Sequence, residues 1–120
     1  MVFKYQPPAD ELMSDLKSVE DKLALLKTKY IKSLPDKVTD IYMEWNTCKE
    51  RKLVNDSTLT SHLHKLAGSA GMYDFFELGE NARALELSIL KLDNDIPDQI
   101  IDEIDSGLTK LKELVADLCQ

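Results

Sequence analysis

Apolar residues recur along the chain at alternating spacings of four and three, the pattern of an α-helix with one buried side. The first such stripe holds Leu12, Leu16, Val19, Leu23, Leu26 and Tyr30. Pro35 then interrupts the pattern, because proline removes a backbone donor from a helix interior. We therefore expect the first helix to end before Pro35 and a second helix to begin near Asp36. The stripe of that second helix holds Val38, Ile41, Tyr42 and Trp45.

Polar residues and a proline mark the starts of three more helices. Asp56 or Ser57 could cap the third helix, because a side-chain oxygen there accepts from the free amides of the first turn. Asp74 with Glu77 resembles a capping box that opens the fourth helix. Pro97 suits the first turn of the last helix. The predicted stripes are Leu59, Leu63, Leu66 and Ala70 in the third helix, Leu78, Ala82, Leu85, Ile89 and Leu92 in the fourth, and Ile101, Ile104, Leu108, Leu111, Val115 and Leu118 in the last.

The predicted class is all-α, since no segment alternates between apolar and polar residues with a period of two. Short connections between long amphipathic helices favour antiparallel neighbours. We therefore predict an up-and-down antiparallel helical bundle with a four-helix core, to which an additional N-terminal helix can be joined. A chain of 120 residues with 43% hydrophobic content fits a single domain over residues 1–120.

Charge and cysteine content narrow the classes of partner and the compartment. The 22 acidic and 15 basic residues give a net charge of -7, which opposes binding to nucleic acid or to an anionic membrane. Cys48 and Cys119 lack the spacing of a zinc site or a disulfide framework. The chain shows neither a secretory signal nor an apolar run of the roughly 18 residues that a membrane span needs. We expect a cytoplasmic protein without membrane contact.

The surroundings of His64 are unusually small. On a helical wheel His64 lies about 130° from the centre of its helix's apolar stripe, so its imidazole should face solvent. Gly71 lies about 20° from His64, Gly68 and Thr60 about 40°, and Ala67 about 60°. A surface with so few side-chain atoms would let a second protein reach the ring.

The same residues could also have purely structural roles. Glycine in a helix interior lowers the stability of the helix by about 1 kcal/mol relative to alanine. At Gly68 the close approach of a neighbouring helix could offset that loss. Gly71 could be a helix C-cap. Lys65 could place a positive charge near a phosphorylated ring or simply be solvated. His62 lies about 160° around the helix from His64, so the two rings cannot bind one metal ion, and we expect no metal site.

The segment "HLHKLAGSAGMYDFFELGENARALE" resembles the signature of histidine-containing phosphotransfer (HPt) domains of bacterial multistep phosphorelays. In that signature an accepting histidine is followed by a spacer residue, a leucine, a lysine or alanine, a glycine and further small residues, which here are His64 to Gly71. "ARALE" is similar to a stretch of the next helix in these domains, and "KSLPDKV" resembles their leucine-proline break. The chain departs from the pattern at Ala67, where many members carry lysine, and at Asp74, where many carry glycine.

The resemblance implies a phosphocarrier without catalytic machinery of its own. His64 would accept a phosphoryl group from a receiver-domain aspartate and pass it to another response regulator. Because Ala67 stands where the family has lysine, we expect Lys65 to support the phosphate instead. The receiver would approach over Thr60, Ala67, Gly68 and Gly71. No cofactor is expected on this chain, because the receiver brings the Mg²⁺. The implied partners are response regulator receiver domains and a hybrid sensor histidine kinase, and we expect a monomer.

Four apolar residues near the ring are candidates for docking: Met72, Tyr73, Phe75 and Phe76. We expect at least two of them to close the end of the bundle instead. The alternative function is a non-phosphorylated helical adaptor or oligomerisation domain on the same bundle. In that case Gly68 would serve only close helix packing.

Overall fold

The computed structural model describes residues 9–54 and 57–120, with side chains described from residue 17 onward. It contains four helices: α1 (Ala9–Arg51), α2 (Leu59–Met72), α3 (Phe76–Leu90) and α4 (Asp98–Leu118). Within those residues there is no strand, and Leu53 and Asp95 form an isolated antiparallel bridge. The predicted all-α class is therefore confirmed.

The chain divides into two compact units, Met1–Tyr30 and Ile31–Gln120. In the first unit the predicted helix is present, but Val19, Leu23 and Leu26 of its stripe are exposed and only Tyr30 is buried. The side chains of Leu12 and Leu16 lie outside the described residues. A single domain over residues 1–120 stays a prediction.

The predicted helix break at Pro35 is wrong, because α1 continues through this residue. Proline has no N–H, so the carbonyl of Ile31, four residues earlier, loses its usual helical donor. The thiol of Cys119 donates to that carbonyl over an Sγ–O distance of 3.7 Å. Burial of Leu34 and Val38 on either side of the exposed Pro35 holds the helix to the core across the missing bond.

The second unit is a four-helix bundle made from residues 31–51 of α1 together with α2, α3 and α4. The predicted stripe of α2 is fully buried. Predicted stripe residues that are only half-buried are Tyr42, Leu92, Ile101 and Leu118. Each buried leucine or isoleucine stabilises the fold by about 1.5–3 kcal/mol relative to an exposed one. The predicted bundle architecture is confirmed.

The starts of the helices differ from the predicted caps. The N-cap of α2 is Thr58, which makes no side-chain capping bond, so the prediction for Ser57 is wrong. Asp56 lies outside the described residues. The N-cap of α4 is Pro97, one residue before the first turn in which it was expected. None of the described helices is both long and apolar enough to cross a membrane.

Asp74 ends α2 and does not open α3, whose N-cap is Phe75. The amide of Phe75 donates to the Ala70 carbonyl at 2.9 Å, and the amide of Asp74 donates to the Gly71 carbonyl at 3.1 Å. These two bonds form a Schellman motif, in which the residue at the position of Asp74 takes a left-handed conformation. Asp74 has φ of 65°. The capping-box prediction is therefore wrong, and the frequent glycine of HPt domains at this position suits the same conformation.

Candidate functional site

His64 stands on the solvent side of α2, as its angle from the apolar stripe predicted. Its side chain is 72% exposed, whereas Leu63 beside it is fully buried. His62 is half-buried and lines a different cavity, shared with Lys37 and Asp40 of α1. The structure therefore presents one histidine of the pair to solvent and turns the other towards α1.

A groove of about 330 Å³ opens beside the His64 imidazole, between α2 and α3. Three of the four residues predicted for the access surface line it, namely Ala67, Gly68 and Gly71. Thr60 is half-buried in the first turn of α2 and is not part of this lining. From α3 the groove is lined by Phe76, Gly79, Glu80 and Arg83.

The glycines of the groove differ in what surrounds them. Apart from the backbone of α2 itself and the adjacent residues, a Cβ atom built on Gly68 or Gly71 meets none of the described atoms within 4 Å. Close approach of a neighbouring helix therefore does not account for Gly68. Gly71 lies inside α2, whose C-cap is Tyr73. The close approach occurs instead at Gly79 of α3, where a Cβ would lie 3.2 Å from the backbone oxygen of Ala67.

The buried carboxylate of Glu86, on α3, is hydrogen-bonded to the imidazole of His64. Its carboxylate is 6% exposed, and its Oε2 and Oε1 atoms lie 2.9 Å and 3.3 Å from His64 Nδ1. An ionised carboxylate can only accept, so Nδ1 is the nitrogen that carries the proton in this pair. The lone pair of the neutral ring is then on Nε2.

Sequence reasoning missed Glu86, although its position carried a signal. The residue lies four after Ala82 and three before Ile89, on the buried stripe of α3. A carboxylate among apolar stripe residues must find a partner, because burying an unpaired charge is costly. The histidine 22 residues earlier in the chain is that partner.

Arg83 brings a positive charge to the same place. Its Nη1 atom lies 3.9 Å from Glu86 Oε1, and its side chain is 60% exposed. Lys65, the cation expected from sequence, is exposed and lines the cavity that holds His62. Among the described residues no group of three or more histidine, cysteine, aspartate or glutamate side chains is placed to hold a metal ion.

The apolar docking candidates divide into two pairs. Met72 and Phe76 are exposed, at 77% and 63%, and Phe76 borders the groove. Tyr73 and Phe75 are half-buried at the turn between α2 and α3. Two of the four are therefore exposed, and Phe76 is the one that shares the groove with the imidazole.

Comparison with protein families gives one match. The family model described as Hpt domain matches residues 10–120, which include all of α2, α3 and α4. No curated protein and no solved structure matches the chain. The match therefore covers both His64 and the α3 residues that contact it.

Proposed function

Because the chain belongs to the Hpt domain family, we propose that it is a histidine phosphocarrier of a two-component phosphorelay. His64 accepts a phosphoryl group from a receiver-domain aspartate and passes it to another response regulator. One observation carries this proposal: an exposed imidazole whose Nδ1 is bonded to the buried Glu86, beside a groove lined by glycine and alanine.

The transfer uses the lone pair of His64 Nε2. As a new bond forms between Nε2 and phosphorus, the bond between phosphorus and the aspartyl oxygen breaks, and the aspartate leaves as a carboxylate with the electron pair. The proton on Nδ1 stays in its bond to Glu86, so the ring gains positive charge during the step. The second transfer reverses these events with another receiver's aspartate as the nucleophile.

Glu86 is a positioning residue in this mechanism. Its two oxygens keep the ring in one orientation and one tautomer, which directs Nε2 to solvent. Its negative charge also lies next to the ring when the ring becomes cationic, as in catalytic pairs of histidine and carboxylate. Burial strengthens this interaction, because water screens a buried charge only weakly.

The remaining requirements fall to the partner. Phosphoryl transfer depends on in-line positioning and on charge stabilisation more than on covalent help from the carrier. The receiver supplies the aspartate and Mg²⁺, and the carrier needs no cofactor or catalytic group of its own. Open space around Gly68 and Gly71 admits the receiver's recessed aspartate, with Met72 and Phe76 as apolar contacts.

We further propose that the protein acts as a cytoplasmic monomer, phosphorylated through a hybrid sensor histidine kinase. Its contact with each receiver is transient, and such an interface is about 1,200 Å² or smaller in total. A net charge of -7 favours partners with basic docking faces over nucleic acid. The alternative adaptor function loses its main support, since no helix that the structure describes packs closely on Gly68.

The test is phosphoryl transfer to this chain from a panel of receivers that hybrid kinases have phosphorylated with labelled ATP. His64→Gln should abolish labelling, because it removes the nucleophilic nitrogen. His62→Gln is the matched control and should label like the wild type, because His62 faces a different cavity. The label should be lost in acid and survive alkali, as a phosphoramidate does. Labelling of His64→Gln, or no labelling of the folded wild type by any donor, would contradict the proposal.

A further inference from the structure

The groove beside His64 contains few charges. Of the described residues that line it, Arg83 is the one permanent cation, and Glu80 is the one carboxylate. The buried Glu86 adds a second negative charge behind the ring. A phosphoryl group adds nearly two more negative charges at neutral pH. A positive charge that can reach Nε2 would therefore stabilise the phosphorylated site.

Resting on the function proposed above, we infer that Arg83 is the cation that binds the phosphoryl group on His64. The 3.9 Å between its Nη1 and Glu86 Oε1 exceeds hydrogen-bond length, so the guanidinium is held only loosely. Its side chain is long, 60% exposed and already in the groove. From the groove its N–H groups can bond to the phosphoryl oxygens, and guanidinium geometry allows two parallel bonds.

Ala67 faces the same groove from α2 and carries no charge. Arg83 therefore supplies from α3 the charge that the surface of α2 lacks at this position. Lys65 is the rival candidate predicted from sequence, but it lines the cavity with Lys37, Asp40 and His62. The two cations thus occupy different cavities on either side of α2, and mutation distinguishes them.

The experiment uses phosphoramidate, a small donor that needs no receiver, and follows phosphorylation of the full chain by intact mass and ³¹P NMR. Arg83→Gln should slow phosphorylation of His64 about five- to tenfold. This loss of rate is smaller than the loss on removing a buried oxyanion-hole donor, because water screens the mostly exposed guanidinium. Lys65→Gln, the matched removal of a neighbouring cation, should react at nearly the wild-type rate. Added salt should reduce the ratio of the wild-type rate to the Arg83→Gln rate, because it screens the attraction of the exposed Arg83 for the anionic donor.

A second variant separates phosphoryl binding from support of Glu86. Adding Ala67→Lys to Arg83→Gln puts a cation back into the groove, now from α2. This lysine does not replace Arg83 in its i, i+3 pair with Glu86 along α3. If Arg83 acts on the phosphoryl group, this double variant should recover most of the lost rate. If Arg83 only holds Glu86 in place, the double variant should remain as slow as Arg83→Gln.

Three results would overturn the inference. Arg83→Gln that reacts within twofold of the wild type at His64 refutes the role of Arg83 and leaves the phosphocarrier intact. A slow Arg83→Gln without rescue by Ala67→Lys assigns Arg83 a structural role. A folded wild type that phosphoramidate does not modify at His64 removes both this inference and the function on which it rests.

Discussion

Gly68 and Gly79 line the same groove from opposite helices, yet they lack a side chain for different reasons. A Cβ on Gly68 would point into space that is open among the described residues, with no atom of another helix within 4 Å. A Cβ on Gly79 would press on α2, at 3.2 Å from the Ala67 oxygen and 3.6 Å from the Ala70 Cβ. Close packing of α3 on α2 therefore favours a glycine at position 79, whereas nothing within the described fold favours one at position 68.

The difference shows how to separate structural glycines from functional ones. A glycine in a helix interior costs about 1 kcal/mol relative to alanine whatever its use. At Gly79 close packing of α3 on α2 offsets that cost. The same packing brings Glu86 of α3 within hydrogen-bond distance of His64. At Gly68 no packing by the described residues offsets the cost, which fits the proposed approach of a receiver over this position.

The largest expected effect comes from placing a large side chain at position 68, where a Cβ would lie in open space. Gly68→Gln should reduce transfer from a receiver at least about 100-fold, because displacing the reacting groups by an ångström already costs that much. Phosphorylation by phosphoramidate should fall only a few-fold, because a small donor does not need the open surface. The measurement is the rate of labelling with each donor.

Ala116→Gln provides the matched control for this variant. Ala116 is exposed on α4 and does not line the groove, so the same side chain there should leave both rates unchanged. Equal losses with receiver and phosphoramidate would show that Gly68→Gln damages the ring's chemistry and does not block docking.

A moderate effect is expected when the same large residue is placed at each glycine. Gly79→Leu should lower the free energy of unfolding by about 1–3 kcal/mol, because it forces α3 away from α2. Gly68→Leu should leave it unchanged or slightly raised. Urea denaturation followed by the fluorescence of Trp45, the single tryptophan and fully buried, measures both. Equal destabilisation at the two sites would remove the distinction between the glycines.

The smallest effect is expected from adding only a methyl group at position 68. Gly68→Ala should raise the free energy of unfolding by about 0.5–1 kcal/mol, since alanine is the better helix former and its Cβ meets nothing. Transfer from a receiver should stay close to the wild-type rate, because a methyl group occupies little of the groove. Thermal unfolding measures the first quantity, and a lower melting temperature would show that Gly68 does contribute to packing.

Sequence periodicity predicted the bundle well where burial determines the pattern. The stripe of α2 from Leu59 to Ala70 is fully buried, and the exposure of His64 follows from the same wheel. Local signals were less reliable, because a tertiary contact or a competing local motif overrides them. The helix passes through Pro35 with Cys119 donating to the freed carbonyl, and Asp74 closes α2 where a capping box was expected.

The candidate site was predicted in part, for a physical reason. His64 and its small neighbours lie within one helix, so a single wheel places Ala67, Gly68 and Gly71 beside the ring. The two charged residues that complete the site, Arg83 and Glu86, come from α3, and their approach depends on how α2 and α3 pack at Gly79. Spacing along the chain does not contain that information.

The most direct test of the central claim is to identify the nitrogen that carries phosphorus. Protein labelled with ¹⁵N at histidine is phosphorylated by a receiver, and coupling between ³¹P and ¹⁵N is measured by NMR. Because Glu86 holds Nδ1 of His64 at 2.9 Å, the phosphorus should be bonded to Nε2 of His64 alone. Phosphorus on Nδ1 of His64, or on His62, would contradict the account.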